Sequence, residues 1–216
     1  MFMRKTVSLT LILLASVALR AQTNRFESEI LAFEASDRTN APPKRAIVFV
    51  GSSSIRLWKT LAQDFPKHQV INRGFGGSEI SDSIQYAKRI VIPYAPRMVV
   101  MYAGGNDIHG GKTPERVFAD FTNFVATVRT ALPRARLAYI SIAPNPARWA
   151  EVDKVRAANT LISDYARHQR NMQFIDVFPH MLGADGQPRP EIYGPDRLHM
   201  NEQGYALWKE IVKKYL

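Results

Sequence analysis

Five short, mainly apolar runs recur along the chain, and helix-like segments separate them. The runs span residues 46–50, 69–72, 97–103, 137–143 and 174–177. Runs without an alternating polar face are typical of strands that are buried on both sides of a parallel sheet. Strands that alternate with helices form such a sheet with helices on both faces. The sequence therefore predicts one α/β domain, a three-layer α/β/α sandwich around a five-stranded parallel sheet.

Helix signals occupy the segments between these runs. The predicted helices span residues 26–35, 55–65, 78–92, 113–132, 150–171 and 201–215. Ser78 opens the third of them, with the acidic residues Glu79 and Asp82 in the first turn, where carboxylates are favoured by the helix dipole. Pro114 occupies the first helical position of the fourth, where proline is tolerated best. These signals place a helix between every pair of successive strands.

The N-terminal residues have the layout of a secretory signal peptide. Residues 1–21 combine a basic start at Arg4 and Lys5 with an apolar run over residues 7–19. The alternative is an uncleaved membrane anchor, but the run is short for a bilayer and Arg20 closes it. We therefore expect an exported protein, periplasmic or secreted, with no stable membrane span after the signal is removed.

The rest of the chain is expected to form one domain with a short N-terminal extension. Residues 22–44 are predicted to form a helix and a polar, proline-containing link, and residues 45–216 the domain itself. The sequence contains no cysteine, which excludes a disulfide framework and lipid attachment through an N-terminal cysteine.

The chain is basic, with a formal net charge of +10, three charges of which lie in the predicted signal peptide. Such a balance favours anionic partners such as nucleic acids, anionic lipids or acidic substrates. The lysines and arginines are scattered, however, and the densest spots are the pairs Lys213 with Lys214 and Arg134 with Arg136. This distribution favours a solvated basic surface over a nucleic-acid site, and we expect no nucleic-acid partner.

Four short polar or glycine-rich segments follow predicted strands, three of them directly. Residues 51–54 are Gly-Ser-Ser-Ser, residues 74–77 are Gly-Phe-Gly-Gly, and residues 104–107 are Gly-Gly-Asn-Asp. The fourth segment, Asp-Arg-Leu-His at residues 196–199, follows the fifth strand and precedes the last helix. Because sites in parallel sheets form at the carboxyl ends of the strands, all four segments are expected to converge on one edge.

The first and fourth segments contain the parts of an activated serine. Ser53 is the candidate nucleophile, and a serine hydroxyl needs a base to take its proton. His199 is the candidate base, and Asp196, three residues earlier, can hold the imidazole in the required tautomer. Ser52 and Ser54 stay possible nucleophiles on this evidence. Each segment alone also has a simpler explanation, the serines as a turn or helix cap and the histidine as a cap of the last helix.

The second and third segments could supply hydrogen-bond donors to an oxyanion. The Gly77 N–H and the Asn106 side-chain amide are the candidates, and one such donor is typically worth about 2.7–4 kcal/mol in a transition state. Either segment alone also fits an ordinary glycine-rich turn. Asp107 and His109 suggest a metal pair, but two candidate ligands are too few to predict a site.

In this order, the four segments resemble the blocks of the SGNH (GDSL-type) hydrolases, which supply Ser, Gly, Asn and Asp-x-x-His. The matching positions are Ser53, Gly77, Asn106, Asp196 and His199. Residues 72–77, Asn-Arg-Gly-Phe-Gly-Gly, are also similar to the acetylhydrolase branch that is related to the platelet-activating-factor acetylhydrolase subunits. The resemblance covers residues 45–216 and implies the flavodoxin-like SGNH hydrolase fold.

The resemblance also implies roles for these residues. Ser53, His199 and Asp196 would form a catalytic triad. The N–H groups of Ser53 and Gly77, together with the Asn106 amide, would form the oxyanion hole. Neither a metal nor an organic cofactor is implied.

One position departs from the family pattern. The family's aspartate before the serine is Ser52 here, but that aspartate is not a triad member, so a loss of activity does not follow. The register set by Gly51 and by the later blocks favours Ser53 over Ser54. The Gly-x-Ser-x-Gly elbow of the α/β-hydrolases is absent from the sequence.

The implied activity is that of a serine esterase. It would hydrolyse short-chain acyl esters, acetyl above all, on a carbohydrate or another small molecule, through an acyl-enzyme. Alternatives are a lysophospholipase or thioesterase with a longer acyl preference, and a catalytically silent glycan-binding domain. Substrate-binding residues and the oligomeric state are not predicted. The sequence leaves two interpretations for several further side chains, which either line a substrate pocket or simply pack in the core or lie on the surface. They are Trp58, Phe75, Tyr102, Arg148 and Trp149.

Overall fold

The computed structural model describes residues 25–216, which fold around one parallel sheet. The strands are β1 (Ile47–Gly51), β2 (Val70–Gly74), β3 (Met98–Tyr102), β4 (Arg136–Ile140) and β5 (Met172–Ile175). Their order is β2-β1-β3-β4-β5, and every neighbouring pair is parallel. This arrangement confirms the predicted five-stranded sheet. The predicted signal peptide at residues 1–21 lies outside the described residues.

Helices connect the strands throughout the described part of the chain. They are α1 (Glu27–Thr39), α2 (Ser53–Arg56), α3 (Leu61–Asp64), α4 (Ile80–Ile90), α5 (Gly105–His109), α6 (Pro114–Ala131), α7 (Val152–Arg167) and α8 (Glu202–Val212). Short 3-10 helices span Ile92–Tyr94, Pro146–Glu151, Pro179–Met181 and Pro190–Ile192. Of the helices in residues 25–216, none has the length and apolar character needed to cross a membrane.

The helices cover both faces of the sheet and complete the predicted three-layer sandwich. Successive side chains of β1 point to opposite faces, so that Val48 and Val50 join one apolar cluster and Ile47 and Phe49 the other. Helices α1, α4, α6 and α7 contribute to the first cluster, and α2, α3 and α8 contribute to the second. The sheet is therefore packed on both sides, and its carboxyl edge is a rigid support for the loops that follow the strands.

The predicted single helix over residues 55–65 is wrong, because the chain breaks it into α2 and α3. Trp58 lies in the break and is 1% exposed, and its indole N–H donates to the Asp64 carboxylate at 2.7 Å. The Thr60 hydroxyl donates to the same carboxylate at 2.6 Å. Burying the tryptophan ring while satisfying its N–H outweighs continuing the helix.

Other elements differ from prediction only at their ends. Helix α4 begins at Ile80, later than predicted, because Glu79 before it has extended backbone geometry, with φ −96° and ψ 172°. The helix predicted over residues 150–171 ends at Arg167, and the chain then turns through Asn171, whose φ of 56° does not continue a right-handed helix. The strands differ from their predicted bounds by a few residues.

Candidate active site

The loops after β1, β2 and β3 are hydrogen-bonded to one another at the carboxyl edge of the sheet. The Ser52 N–H donates to the Tyr102 carbonyl at 2.9 Å, and the Phe75 N–H donates to the Gly51 carbonyl at 3.0 Å. Gly51 has a φ of 135°, and a Cβ there would lie 1.9 Å from the Tyr102 carbonyl oxygen. Only glycine lets the chain turn this close to β3. The turn places the serine run at the sheet edge.

Ser53 is the serine of this run that lies against the predicted base. It is the first residue of α2, and its Oγ lies 2.8 Å from Nε2 of His199. The Ser54 carbonyl accepts from the Tyr205 hydroxyl at 2.9 Å, and no hydrogen bond joins Ser54 to the histidine within residues 25–216. Ser52 is 5% exposed and holds the sheet edge through its N–H. The geometry thus separates Ser53 from its two neighbours.

The other side of the His199 ring lies against Asp196. Nδ1 is 2.6 Å from Oδ2 of Asp196, and Oδ1 accepts the backbone N–H groups of Leu198 at 3.0 Å and His199 at 2.9 Å. These bonds, that from Leu198 first and then those from the histidine, lower the pKa of Asp196 to about 2. An ionised carboxylate only accepts, so Nδ1 carries the proton and the Nε2 lone pair faces the Ser53 hydroxyl.

The loop that carries Asp196 and His199 is held at both ends. Asn201 caps the first turn of α8 with its side-chain oxygen and donates through Nδ2 to the Tyr193 carbonyl at 3.0 Å. The Gly194 N–H donates to the His199 carbonyl at 2.8 Å. These bonds fix the histidine backbone, so the ring can keep one orientation.

Asn106 lies in α5, directly after β3, with both ends of its amide bonded. Its Nδ2 donates to the Ser78 carbonyl at 3.0 Å, and its Oδ1 accepts from Nη1 of Arg148 at 3.0 Å. Nη1 also reaches the Gly105 carbonyl at 3.3 Å. Because a guanidinium only donates, Arg148 fixes which end of the amide is oxygen. One Nδ2 hydrogen is left for another acceptor.

The Arg148 contact was not predicted from the sequence. The prediction left Arg148 open as a substrate contact, whereas the structure shows it bonded to Asn106 while also lining the cavity at Ser53. It lies in the 3-10 helix Pro146–Glu151, and no motif in that segment signals a partner in α5.

Gly77 lies in the loop between β2 and α4, with a φ of 70°. Its N–H has no hydrogen-bond partner among the described residues, and the space where a Cβ would lie is open. The next residue, Ser78, binds Asn106 through its carbonyl, which ties the glycine loop to α5. Gly77 does not itself line the cavity at Ser53. Its use as an oxyanion donor stays a prediction.

A narrow cavity of about 40 Å³ opens at Ser53. Since one buried water molecule needs about 10–15 Å³, the cavity has room for only a few non-hydrogen atoms. Its polar lining includes Ser53, Asn106, Arg148 and His199, and its apolar lining includes Ile142, Ala143, Pro144 and Met200.

Of the four aromatic side chains considered as pocket residues, two lie in the core and two lie beside a cavity. Trp58 and Phe75 are buried in the two apolar clusters, at 1% and 0% exposure, and line no part of this cavity. Tyr102 does line it, and burial raises the pKa of its hydroxyl. Trp149 lies beside an adjoining cavity, with the Arg156 guanidinium 5.7 Å from its ring centre.

The Asp107 and His109 side chains have separate partners. Asp107 accepts from Lys112 at 2.8 Å, whereas Nδ1 of His109 lies 2.8 Å from the Glu151 carboxylate. Within residues 25–216, no group of three or more His, Cys, Asp and Glu side chains has the geometry to hold a metal ion. The two side chains therefore belong to separate contacts.

Asp107 is the centre of a buried ionic cluster under the Asn106 segment. Its side chain is 0% exposed, and its carboxylate also accepts the Ile80 N–H at 3.2 Å. Lys112 bonds it and contacts Asp120 at 2.7 Å and Glu79 at 3.0 Å. Burial raises the pKa of Asp107, and the lysine opposes that effect. The cluster joins the segment after β3 to the start of α4.

Replacing the lysine of this cluster should destabilise the fold. Lys112→Met would leave Asp107 buried without its cation and Asp120 paired with Arg116 alone, so we expect the free energy of unfolding to fall by about 3 kcal/mol. Urea unfolding followed by circular dichroism measures the change. Lys154→Met, at an exposed position of α7, is the matched control and should change it by less than about 0.5 kcal/mol. Equal effects for the two variants would show that the cluster contributes no stability.

Comparison with known proteins matches the chain to a family. Residues 39–207 match the family model described as the GDSL-like Lipase/Acylhydrolase family. No curated protein sequence matches the chain significantly.

Solved structures with the same fold cover most of the chain. A candidate platelet activating factor from Streptococcus pneumonia superposes with a TM-score of 0.77 at 20% identity, over 87% of this chain and 91% of that chain. A GDSL-like lipase from Bacteroides thetaiotaomicron VPI-5482 gives 0.72 at 20% identity, over 87% and 96%. A carbohydrate esterase family 3 protein from Talaromyces cellulolyticus gives 0.64 at 16% identity, over 78% and 94%. At these identities the likeness shows a shared fold.

Proposed function

The chain belongs to the GDSL-like lipase/acylhydrolase family of hydrolytic esterases, and from this premise we propose that it removes short acyl groups, acetyl above all, with Ser53 as the nucleophile. One observation carries the proposal. The Ser53 hydroxyl, the His199 ring and the Asp196 carboxylate form an unbroken chain, with distances of 2.8 Å and 2.6 Å. This is the arrangement that activates a serine for acyl transfer.

The proposed reaction has two steps. Ser53 Oγ attacks the ester carbonyl carbon while its proton passes to Nε2 of His199, and Asp196 stabilises the imidazolium. The imidazolium then gives the proton to the leaving alcohol oxygen, which departs as the acyl-enzyme forms. A water molecule, deprotonated by the histidine, repeats the attack and releases the carboxylic acid and free serine.

Three hydrogen-bond donors can stabilise the oxyanion of each tetrahedral intermediate. They are the backbone N–H groups of Ser53 and Gly77 and the remaining Nδ2 hydrogen of Asn106. The Gly77 N–H lacks a partner among the described residues, and Arg148 fixes the Asn106 amide in the donating orientation. Donors already fixed in place need no rearrangement when the charge develops.

The size of the cavity supports a small acyl group. A volume of about 40 Å³ suits the few atoms of an acetyl group, and the apolar Ile142 and Ala143 can contact its methyl. A carbohydrate is the proposed leaving group, and this agrees with the export expected from residues 1–21 and with the carbohydrate esterase among the structural neighbours. We propose that the enzyme acts in the periplasm or outside the cell.

A longer acyl preference is the second candidate, because a larger groove adjoins the site. The groove has a volume of about 620 Å³ and shares Met200 with the cavity at Ser53. A lysophospholipase or thioesterase would place an acyl chain there. Its lining is mixed, however, with Lys59, Asp64 and Lys209 beside the apolar Leu57.

Hydrolysis of p-nitrophenyl acetate, butyrate and octanoate tests the acyl preference. We expect kcat/KM to be highest for acetate and to fall with each increase in chain length, since the cavity excludes longer chains. Rates that rise from acetate to octanoate would contradict the short-chain proposal and favour the second candidate. Ser53→Ala, assayed with each substrate, gives the rate of hydrolysis that does not involve the site, and this rate is subtracted.

A further inference from the structure

Helix α1 contacts the glycine loop that follows β2. We propose that Glu29 and Arg25 are positioning residues that hold the Gly77 N–H where it can donate to the oxyanion. This inference rests on the proposed function. The family model matches residues 39–207, and α1 lies before this part of the chain except for its last residue. The inference therefore gives a role in the reaction to a helix that lies almost wholly outside the part of the chain matched by the family model.

Two residues of the α1 region, Glu29 and Arg25, are hydrogen-bonded to the loop on either side of the Gly77 N–H. The Gly76 N–H donates to both carboxylate oxygens of Glu29, at 3.2 Å and 3.3 Å. Nη2 of Arg25 donates to the Gly77 carbonyl at 2.7 Å. The peptide bond between the two glycines carries the free N–H. Because adjacent glycines have the greatest backbone freedom, fixing both flanking groups limits rotation of this peptide.

The loop is also held from α2. A Cβ at Gly76 would lie 2.8 Å from the guanidinium carbon of Arg56, so this side chain lies against the loop. Nη1 of Arg56 is 3.7 Å from the Glu29 carboxylate. The cation offsets a negative charge that would otherwise oppose an oxyanion nearby. The loop thus lies between Glu29 and Arg56.

Helix α1 is itself anchored firmly enough to act as a support. Phe26 is 3% exposed and packs edge-on against Phe75 of the loop, with ring centres 5.1 Å apart. Arg89 of α4 pairs with Glu27 at 2.8 Å and with Glu34 at 2.6 Å. These contacts join α1 to the core on the same side as the loop, so its position relative to the loop is fixed.

Replacing Glu29 tests the inference through kcat. Glu29→Leu removes the acceptor of the Gly76 N–H, and we expect kcat for p-nitrophenyl acetate to fall roughly ten- to a hundredfold, since small misplacements of catalytic groups cost that much. KM should change little, because the oxyanion forms only in the transition state. Glu29→Gln keeps an oxygen acceptor and should restore most of kcat. If the charge alone mattered, Gln and Leu would act alike.

Glu34→Leu is the matched control on the same helix. Its side chain is 30% exposed, against 32% for Glu29, and it pairs with Arg89 without touching the glycine loop. This variant should keep the parental kcat, because Glu27 still pairs with Arg89 and Phe26 still packs against Phe75 at the end of α1 next to the loop. Urea unfolding midpoints of the two leucine variants show whether either effect arises from loss of folded protein.

The outcomes separate this inference from the proposed function. The inference is overturned if Glu29→Leu keeps the parental kcat, if it loses no more than Glu34→Leu, or if Glu29→Gln is impaired as much as Glu29→Leu. Ser53→Ala in the same assay tests the function itself. If the parent is no faster than Ser53→Ala, both the proposed function and this inference are wrong. If the parent is faster, only the Glu29 variants decide.

Discussion

Ser53→Ala is expected to lower kcat for p-nitrophenyl acetate by roughly 10⁴- to 10⁶-fold, the loss seen when the nucleophile of a serine triad is removed. The physical reason is that no other hydroxyl in the described structure is hydrogen-bonded to His199. Without Oγ there is no acyl-enzyme, and any residual rate comes from binding and the oxyanion donors alone. Steady-state hydrolysis with enzyme purified separately for each variant measures the effect.

Ser54→Ala is the control for this prediction. It removes a hydroxyl from the next residue, whose carbonyl is bonded to Tyr205 and is kept by the substitution. We expect its kcat to stay within about threefold of the parental value, because no hydrogen bond joins this side chain to the proposed base in the described structure. If Ser54→Ala were the inactive variant and Ser53→Ala the active one, the nucleophile would be misassigned.

His199→Ala is expected to lower kcat by a similar factor, roughly 10⁴- to 10⁶-fold, since nucleophile and base act as one unit. The Ser53 hydroxyl then has no group to take its proton and is a poor nucleophile at neutral pH. Asp196→Asn should cost less, roughly 10⁴-fold, because it changes the histidine tautomer without removing the base. His180→Ala, at an exposed position in a 3-10 helix, is the control and should leave kcat unchanged.

The ionisation of Asp196 leads to a further prediction, on how activity and stability depend on pH. The hydrogen bonds to Asp196 lower its pKa to about 2, so the carboxylate stays ionised from neutral pH down to about pH 3. Folded Asp196 therefore contributes stability above the ordinary aspartate pKa, and that contribution is lost as the pH falls towards 2. An acidic limb of the activity profile well above pH 3 would have to come from another group. An NMR titration of the Asp196 carboxylate checks the value directly, and a midpoint at or above the ordinary aspartate pKa of about 3.9 would contradict it.

The sheet and the convergence of the four segments were predictable because parallel strands bring their carboxyl ends to one edge. Order along the chain therefore indicates which loops are neighbours, and the spacing of Asp196 and His199 indicates that they lie on one short loop. The predicted strands agree with the structure for the same reason, since apolar runs between helices leave few alternatives. The local patterns supplied the candidate site residues, and the resemblance to the family's blocks selected Ser53 from the three adjacent serines.

Contacts between distant segments could not be predicted in this way. Arg148 and Asn106 are hydrogen-bonded but lie 42 residues apart in the sequence, and Glu29 and Gly76 lie 47 residues apart. No periodicity in the sequence links either pair. Both depend on how helices pack on the completed sheet. The break at Trp58 has the same origin, because it forms where the ring is buried against its neighbours rather than from a local breaker residue.

Covalent labelling with a fluorophosphonate tests the central claim most directly. A serine activated by a histidine displaces fluoride from the phosphorus, and the bond that forms marks the nucleophile. Peptide mass spectrometry of the labelled protein should find the phosphonate on Ser53, with no adduct in Ser53→Ala and a greatly slowed reaction in His199→Ala. An adduct on Ser54 or elsewhere, or no adduct in a parent protein that hydrolyses the ester, would contradict the proposed nucleophile.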